Sequence, residues 1–198
     1  MVIQTYDLPN HGSPYYVNSQ GNPVAGYEVY NGSNPQFSQN PNRISSNLVT
    51  FRVPLNPQPA TVTETTPLGA MGIAVNGVLF FNQYAAGMSP LAGEINSFDQ
   101  YNGHPTGQHQ YHYHVEPLYL TDTLTKEGLL GVLLDGYPVY GPDENGVTLT
   151  NNDLDEYHGH TAPTPEYPNG IYHYHVTEDA PYINGDGFYG VPGTVTQN

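Results

Sequence analysis

The run Tyr111-His112-Tyr113-His114-Val115 returns as Tyr172-His173-Tyr174-His175-Val176, and strict alternation of this kind limits what the chain can fold into. On an extended strand successive side chains point to opposite faces, so His112 and His114 share one face and Tyr111 and Tyr113 the other. The second copy sets His173 and His175 against Tyr172 and Tyr174 in the same way. Four of the nine histidines are therefore expected in two strand-borne pairs. The tyrosines are expected to form the packing face.

The copies sit inside a longer repetition. Residues 69–81 read as two apolar strands around Asn76-Gly77, and residues 128–140 repeat that pattern around Asp135-Gly136, a strong hairpin signal. Asp99-Gln100-Tyr101-Asn102-Gly103-His104 matches Asp155-Glu156-Tyr157-His158-Gly159-His160. Three features thus recur in one order, at offsets of 59, 56 and 61 residues. This predicts a tandem repeat over residues 67–116 and 128–177, arranged as a pseudo-two-fold domain. Residues 47–55 alternate as a half-buried strand that Pro54 ends.

Residues 1–66 hold many Pro, Gly, Asn and Ser residues, which predicts an N-terminal arm with short strands. Residues 178–198 read as a closing segment whose glycine-rich turn lies over the second histidine strand. Helix is expected only as short turns over residues 121–127, capped by Thr121 or Asp122, and over residues 151–157. The fold class is all-β: a sandwich or barrel of short strands with long loops and little helix, in one domain spanning 1–198.

A net charge of −15, from 3 basic and 18 acidic residues, disfavours nucleic acid and anionic membrane as partners and favours cations. There is no cysteine, which excludes disulfides, thiolate nucleophiles and Cys-ligated zinc. No apolar run approaches the roughly 18 residues of a membrane span, so no membrane insertion is expected, and any export signal is expected to have been removed. One lysine, the Tyr-, Asn- and Thr-rich composition and the sequon Asn31-Gly32-Ser33 point to an extracellular or cell-surface protein. Both polar ends are expected to be ordered, packing within the domain or supporting self-association with further copies.

A His-x-His pair on a strand offers two nitrogens to one cation, and a third histidine from a nearby loop completes a set suited to zinc, copper or iron. His104 and His160 occupy that third position. The expected ligands are therefore His104, His112, His114, His160, His173 and His175, with copper or zinc as the leading ions. The sequence leaves open one centre per repeat or one centre shared near the pseudo-axis. Asp99 and Asp155 are expected to orient the histidines or to ligate. His109 and His158 each occur in one copy only and rank lower. The acidic turns Asp143-Glu144-Asn145-Gly146 and Asn184-Gly185-Asp186-Gly187 carry oxygen ligands for calcium, although neither completes an EF-hand loop. The plainer alternative makes the imidazoles structural, hydrogen-bonded to carbonyls and tyrosine hydroxyls. No nucleophile elbow or phosphate loop is present, and no catalytic residue is assigned.

These elements, with Asn40-Pro41-Asn42, Phe51-Arg52-Val53-Pro54-Leu55-Asn56-Pro57, Gly103-His104-Pro105 and Asp135-Gly136-Tyr137-Pro138-Val139-Tyr140-Gly141-Pro142, resemble the YHYH-domain family over most of the chain. The resemblance implies a secreted protein and metal binding. Family members commonly carry cysteines near the Gly-His element and after the second strand, where this chain has Tyr101, Tyr157 and Asp186. Bound metal or subunit packing is expected to brace those loops instead. The leading expectation is a secreted, metal-binding structural protein that self-assembles as a surface or filament subunit. The alternatives are a metalloenzyme whose open three-histidine site activates water or dioxygen, and a carbohydrate-binding module that stacks sugars on tyrosines.

Overall fold

The computed structural model describes residues 1–197. Strands β1 (Val2–Thr5) and β2 (Val49–Arg52) come first, followed by the hairpin of β3 (Gly72–Ala74) and β4 (Leu79–Phe80). A small ribbon of β5 (Tyr84–Ala85) and β6 (Ser89–Pro90) precedes β7 (Gly103–Pro105) and β8 (Tyr111–Tyr113). Past the short helix α1 (Leu118–Thr123), the order returns as β9 (Leu129–Leu133), β10 (Pro138–Tyr140), the ribbon of β11 (Asp143–Glu144) and β12 (Val147–Thr148), β13 (Gly159–Ala162) and β14 (Ile171–His175). Strand β15 (Thr194–Gln197) ends the series. The fold is all-β with little helix.

Eight strands form one sheet in the order β13-β14-β10-β9-β3-β4-β8-β7. Read from its centre outward, each half runs hairpin, histidine strand, Gly-His strand. The central pairing is antiparallel, with Ile73 opposite Val132, Gly72 opposite Leu133 and Ala74 opposite Gly131. Under the 59-residue offset these partners exchange places, so a pseudo-two-fold axis passes between Ile73 and Val132. Both hairpin turns follow from their Asx-Gly pairs: Gly77 and Gly136 take φ of +86° and +84°, where a side chain would be strained.

The tyrosine face is the buried one. Tyr111, Tyr113 and Tyr174 are fully buried and Tyr172 nearly so, in one core with Phe51, Phe80, Leu130 and Phe188. The two ends of the chain cover this face from opposite sides. In the first half the arm brings His11 against Tyr101, Tyr111 and Tyr119 and sets its Nε2 3.0 Å from the Tyr113 hydroxyl. In the second half the closing segment stacks Tyr189 on Tyr172 at 3.6 Å, and its Tyr189 N–H donates to the Tyr174 hydroxyl.

The termini meet on β2, since β1 and β15 flank it in a three-stranded antiparallel sheet. Of the two expectations for the ends, packing within the domain or self-association, the first is met by this pairing. Two further expectations are adjusted. The helix spans Leu118–Thr123, not 121–127, because Pro117 sits at its N-terminus, where its missing N–H costs nothing; Thr121 and Asp122 lie inside it. The turn at 151–157 shortens to a 3-10 turn over Asn151–Asp153, closed by a capping box between Thr150 and Asp153. No helix among the described residues is long and apolar enough to cross a membrane.

Candidate metal centres

Strand register builds the sites. His104 pairs directly with His112 across β7 and β8, and His160 with His173 across β13 and β14. The second histidine of each Tyr-His-Tyr-His run lies two residues on and so shares that face. Gly103 and Gly159 make the register possible. A Cβ on Gly103 would collide with the Tyr111 ring, and one on Gly159 with the Tyr172 ring, so each glycine precedes its histidine because a tyrosine lies over it.

Two groups of donor atoms result, each with its atoms within 4.8 Å of one another: His104, His112 and His114 in the first half, and His160, His173, His175 and Glu144 in the second. Strands β8 and β14 are separated by four others, roughly 24 Å at the usual strand spacing. Each half thus gathers its own set, and the shared arrangement left open by the sequence is ruled out by strand order.

The first group shows the chemistry most clearly. His112 Nδ1 lies 3.2 Å from the Gln110 carbonyl and His114 Nδ1 2.5 Å from the Asn82 carbonyl. Carbonyls only accept, so both Nδ1 atoms carry the hydrogen and both Nε2 atoms present lone pairs. These two lone pairs face each other at 2.9 Å. His104 Nε2 stands 3.0 Å from His112 Nε2, and its Nδ1 meets the Ser97 hydroxyl at 2.7 Å. Whichever way that hydroxyl points, the contact between His112 and His114 remains acceptor against acceptor. Protonation does not relieve it at neutral pH. Burial pulls His104 down to about 3 and His114 to about 4, and holds His112 well below the ordinary imidazole value. Phe81 stacks on His112 at 4.0 Å, and Phe98 packs edge-on against His104 at 4.8 Å, which keeps the site apolar.

The second group repeats the design. His173 Nδ1 meets the Ile171 carbonyl at 3.0 Å and His175 Nδ1 the Gly141 carbonyl at 2.7 Å. His160 Nε2 lies 3.2 Å from His173 Nε2. His175 Nε2 is buried with no hydrogen-bond partner, and burial lowers that ring to about 3. A buried orphan of this kind calls for an occupant.

Two carboxylates escaped the sequence reading. Glu144 Oε1 lies 3.4 Å from His160 Nε2 and 3.6 Å from His173 Nε2. Glu94 Oε2 lies 3.7 Å from His104 Nε2 and 3.9 Å from His114 Nε2. Burial keeps His104, His114 and His173 neutral at pH 7, so their contacts are polar and not ion pairs. Glu144 belongs to a stretch read as a turn with oxygen ligands available for calcium; the turn forms at Asn145-Gly146, but Glu144 faces the histidines from the ribbon β11–β12, while Asp143 accepts from the Thr148 hydroxyl. Asp186, in the other acidic turn, accepts from the Tyr84 hydroxyl and the Gln83 amide.

Asp99 and Asp155 require correction as partners of the histidines. Among the described residues their carboxylates serve the opposite face: Asp99 accepts from the Tyr111 and Ser13 hydroxyls, and Asp155 from the Tyr172 hydroxyl. The other tyrosine of each run is anchored by the hairpin turn, Tyr113 by Asn76 and Tyr174 by Asp135. His158 takes a positive φ of 74°, like its counterpart Asn102 at 64°, and its Nε2 meets the Thr177 hydroxyl at 2.9 Å. His109 likewise adopts a turn conformation, outside either group. Aromatic packing braces the loops at Tyr101 and Tyr157: Tyr101 against His11 and Tyr119, and Tyr157 edge-on to Tyr189.

Three imidazole nitrogens bound to one ion at 2.0–2.1 Å are separated by about 2.9 to 3.4 Å, for angles between octahedral and tetrahedral. The separations of 2.9 and 3.0 Å in the first set and 3.2 Å between His160 and His173 in the second fall within that span, and every donor of a set lies within 4.8 Å of the others, so the groups are of a kind that can hold a metal ion. No curated protein and no solved structure matches the chain. A model of the family described as YHYH protein matches residues 50–148 and 143–187, taking in both histidine sets and the hairpins that carry them. The chain therefore belongs to the YHYH protein family.

Proposed function

We propose that the protein binds two transition-metal ions, zinc or copper, one in each half. His104, His112 and His114 hold the first, and His160, His173 and His175, with Glu144, hold the second. The observation that carries this reading is the 2.9 Å approach of His112 Nε2 and His114 Nε2, both acceptors because both Nδ1 atoms donate to carbonyls. A buried pair of lone pairs at this distance is repulsive unless a cation lies between them. The structural alternative satisfies the Nδ1 atoms of His112, His114, His173 and His175 but leaves the Nε2 atoms of His114 and His175 without a donor. A bound ion supplies cross-linking of the strands and, at an open position, Lewis acidity.

Metal analysis of purified protein, followed by zinc and copper titration of chelator-treated protein, tests the reading. Two equivalents are expected, with one lost in His112→Ala and the other in His173→Ala. Metal-free protein whose melting temperature ignores added zinc and copper would sink it.

The same reading places the chain outside the cell as a structural subunit, supported by its acidity and its single lysine. Self-association would use the outer edges of β1 and β15, the end strands of the three-stranded sheet. Light scattering across a wide concentration range tests it, and a monomer throughout counts against it.

A further inference from the structure

The two centres share three histidines but differ in what stands at the fourth corner. At the second centre the Glu144 carboxylate lies within 4.8 Å of all three nitrogens. At the first the equivalent set contains histidines alone, because Glu94 stands to one side, 3.7 Å from His104 and 3.9 Å from His114. The first centre also forms the wall of a cleft of about 650 Å³. Its lining includes the amides of Gln39, Asn40, Asn42 and Gln108, of which Gln39 donates to the Pro14 carbonyl and Asn40 and Asn42 to the Pro105 carbonyl, and among the described residues Glu94 is the one charged side chain there.

We infer that the centres have different jobs: the first is open and takes a neutral oxygen or nitrogen donor from the cleft, whereas Glu144 closes the second as a structural ligand. This rests on the metal reading of both centres. The amide oxygens of Gln39 and Asn42 and the whole amide of Gln108 remain to pair with an incoming group, which suits the hydroxyl groups of a polyol or the amide of a peptide. Among the described residues the cleft has no cationic side chain to hold a carboxylate or phosphate, and Glu94 beside the metal corner repels anions. Glu94 is placed to accept a proton from a donor that enters the corner, since its carboxylate is about one-third exposed and not committed to the three-nitrogen set.

Cobalt(II) is the probe, because its visible spectrum reports the number of ligands. With two cobalt ions bound, imidazole is expected to change the spectrum of one ion only. The change should persist in His173→Ala, which keeps the first centre, and vanish in His112→Ala, which keeps the second. Glu144→Gln, a mild substitution on an exposed ribbon, should make the second centre respond as well. Azide is expected to bind the first centre weakly and about tenfold more tightly in Glu94→Gln. Equal responses from both centres, or no response with two ions bound, overturn the division of labour while leaving metal binding intact. Failure to take up cobalt at all removes the metal reading and this inference with it.

Discussion

The two halves of the sheet are built alike on one face and differently on the other. On the tyrosine face each half anchors one hydroxyl on an aspartate before the Gly-His strand and the other on the residue that opens its hairpin turn. On the histidine face the three imidazoles are again equivalent, yet the neighbouring carboxylates are not. Glu144 comes from the first strand of its ribbon, whereas Glu94 follows the corresponding ribbon and lies between two 3-10 turns. The part of the design fixed by strand register is duplicated, and the part supplied by connecting segments has diverged. Loops can change without disturbing a sheet, so they are where two copies of one site acquire different properties.

Acid should act on both halves together and with the largest effect. Histidines whose folded value is lowered favour the fold while neutral, and that contribution is lost as pH falls below about 6.5, where the unfolded chain takes up protons first. The first half holds four such rings, His11, His104, His112 and His114, and the second three, His158, His173 and His175. Carboxyls raised by burial work the other way: Asp7 and Asp99 in the first half and Asp135 in the second. Lowered rings outnumber raised carboxyls in both halves, so unfolding takes up protons in each, and each proton is worth about 1.36 kcal/mol per pH unit. Metal-free protein should therefore unfold in a single transition between pH 6.5 and 4, followed by circular dichroism. Two separated transitions would show that the halves are not energetically matched.

Removing metal should come next in size. An ion present at a hundredfold excess over its dissociation constant stabilises by about 2.7 kcal/mol, so two occupied centres contribute about 5 kcal/mol. For a chain of this length chelation is expected to lower the melting temperature by about 10 to 20 °C. His112→Ala and His173→Ala should each remove about half of the response to chelator, measured calorimetrically.

The division between duplicated and divergent parts also decided what could be read beforehand. Period-two alternation exposed both histidine pairs, and the recurrence of Gly-His exposed His104 and His160, because strand patterns repeat in sequence as well as in space. Glu94 and Glu144 left no such mark: they occupy different places in their repeats, and Glu144 lay hidden in an Asp-Glu-Asn-Gly turn signal. Asp99 and Asp155 recurred visibly, but alternation says nothing about which face a carboxylate before the strand will serve. The covering of the tyrosines by His11 and Tyr189 depends on contacts between distant segments, which no local pattern encodes.

The glycine locks test whether the duplicated face is equally tight in both copies. Gly103→Ala drives a methyl group into Tyr111, and Gly159→Ala into Tyr172. Both rings are buried, so each substitution should cost about 1 to 3 kcal/mol, which lowers the melting temperature by about 2 to 12 °C. Metal stoichiometry should fall in whichever half loses its register.

The last comparison, which includes the smallest single loss, separates the halves where their shared face differs in burial. Asp99 is 2% exposed and burial raises its carboxyl, whereas Asp155 lies at the surface. Tyr111→Phe removes a donor that buried Asp99 cannot replace with water; it keeps only the Ser13 hydroxyl and the N–H groups of Tyr101 and Gly103. That loss should cost about 1.5 to 3 kcal/mol. Tyr172→Phe removes the same bond from exposed Asp155, where solvent takes its place, and should cost under about 1 kcal/mol. Urea midpoints of the two variants measure the difference directly. Equal losses would mean that the hydroxyls act through ring packing and not through their carboxylates, because Tyr111 and Tyr172 are both buried and differ chiefly in the burial of the partner each one serves.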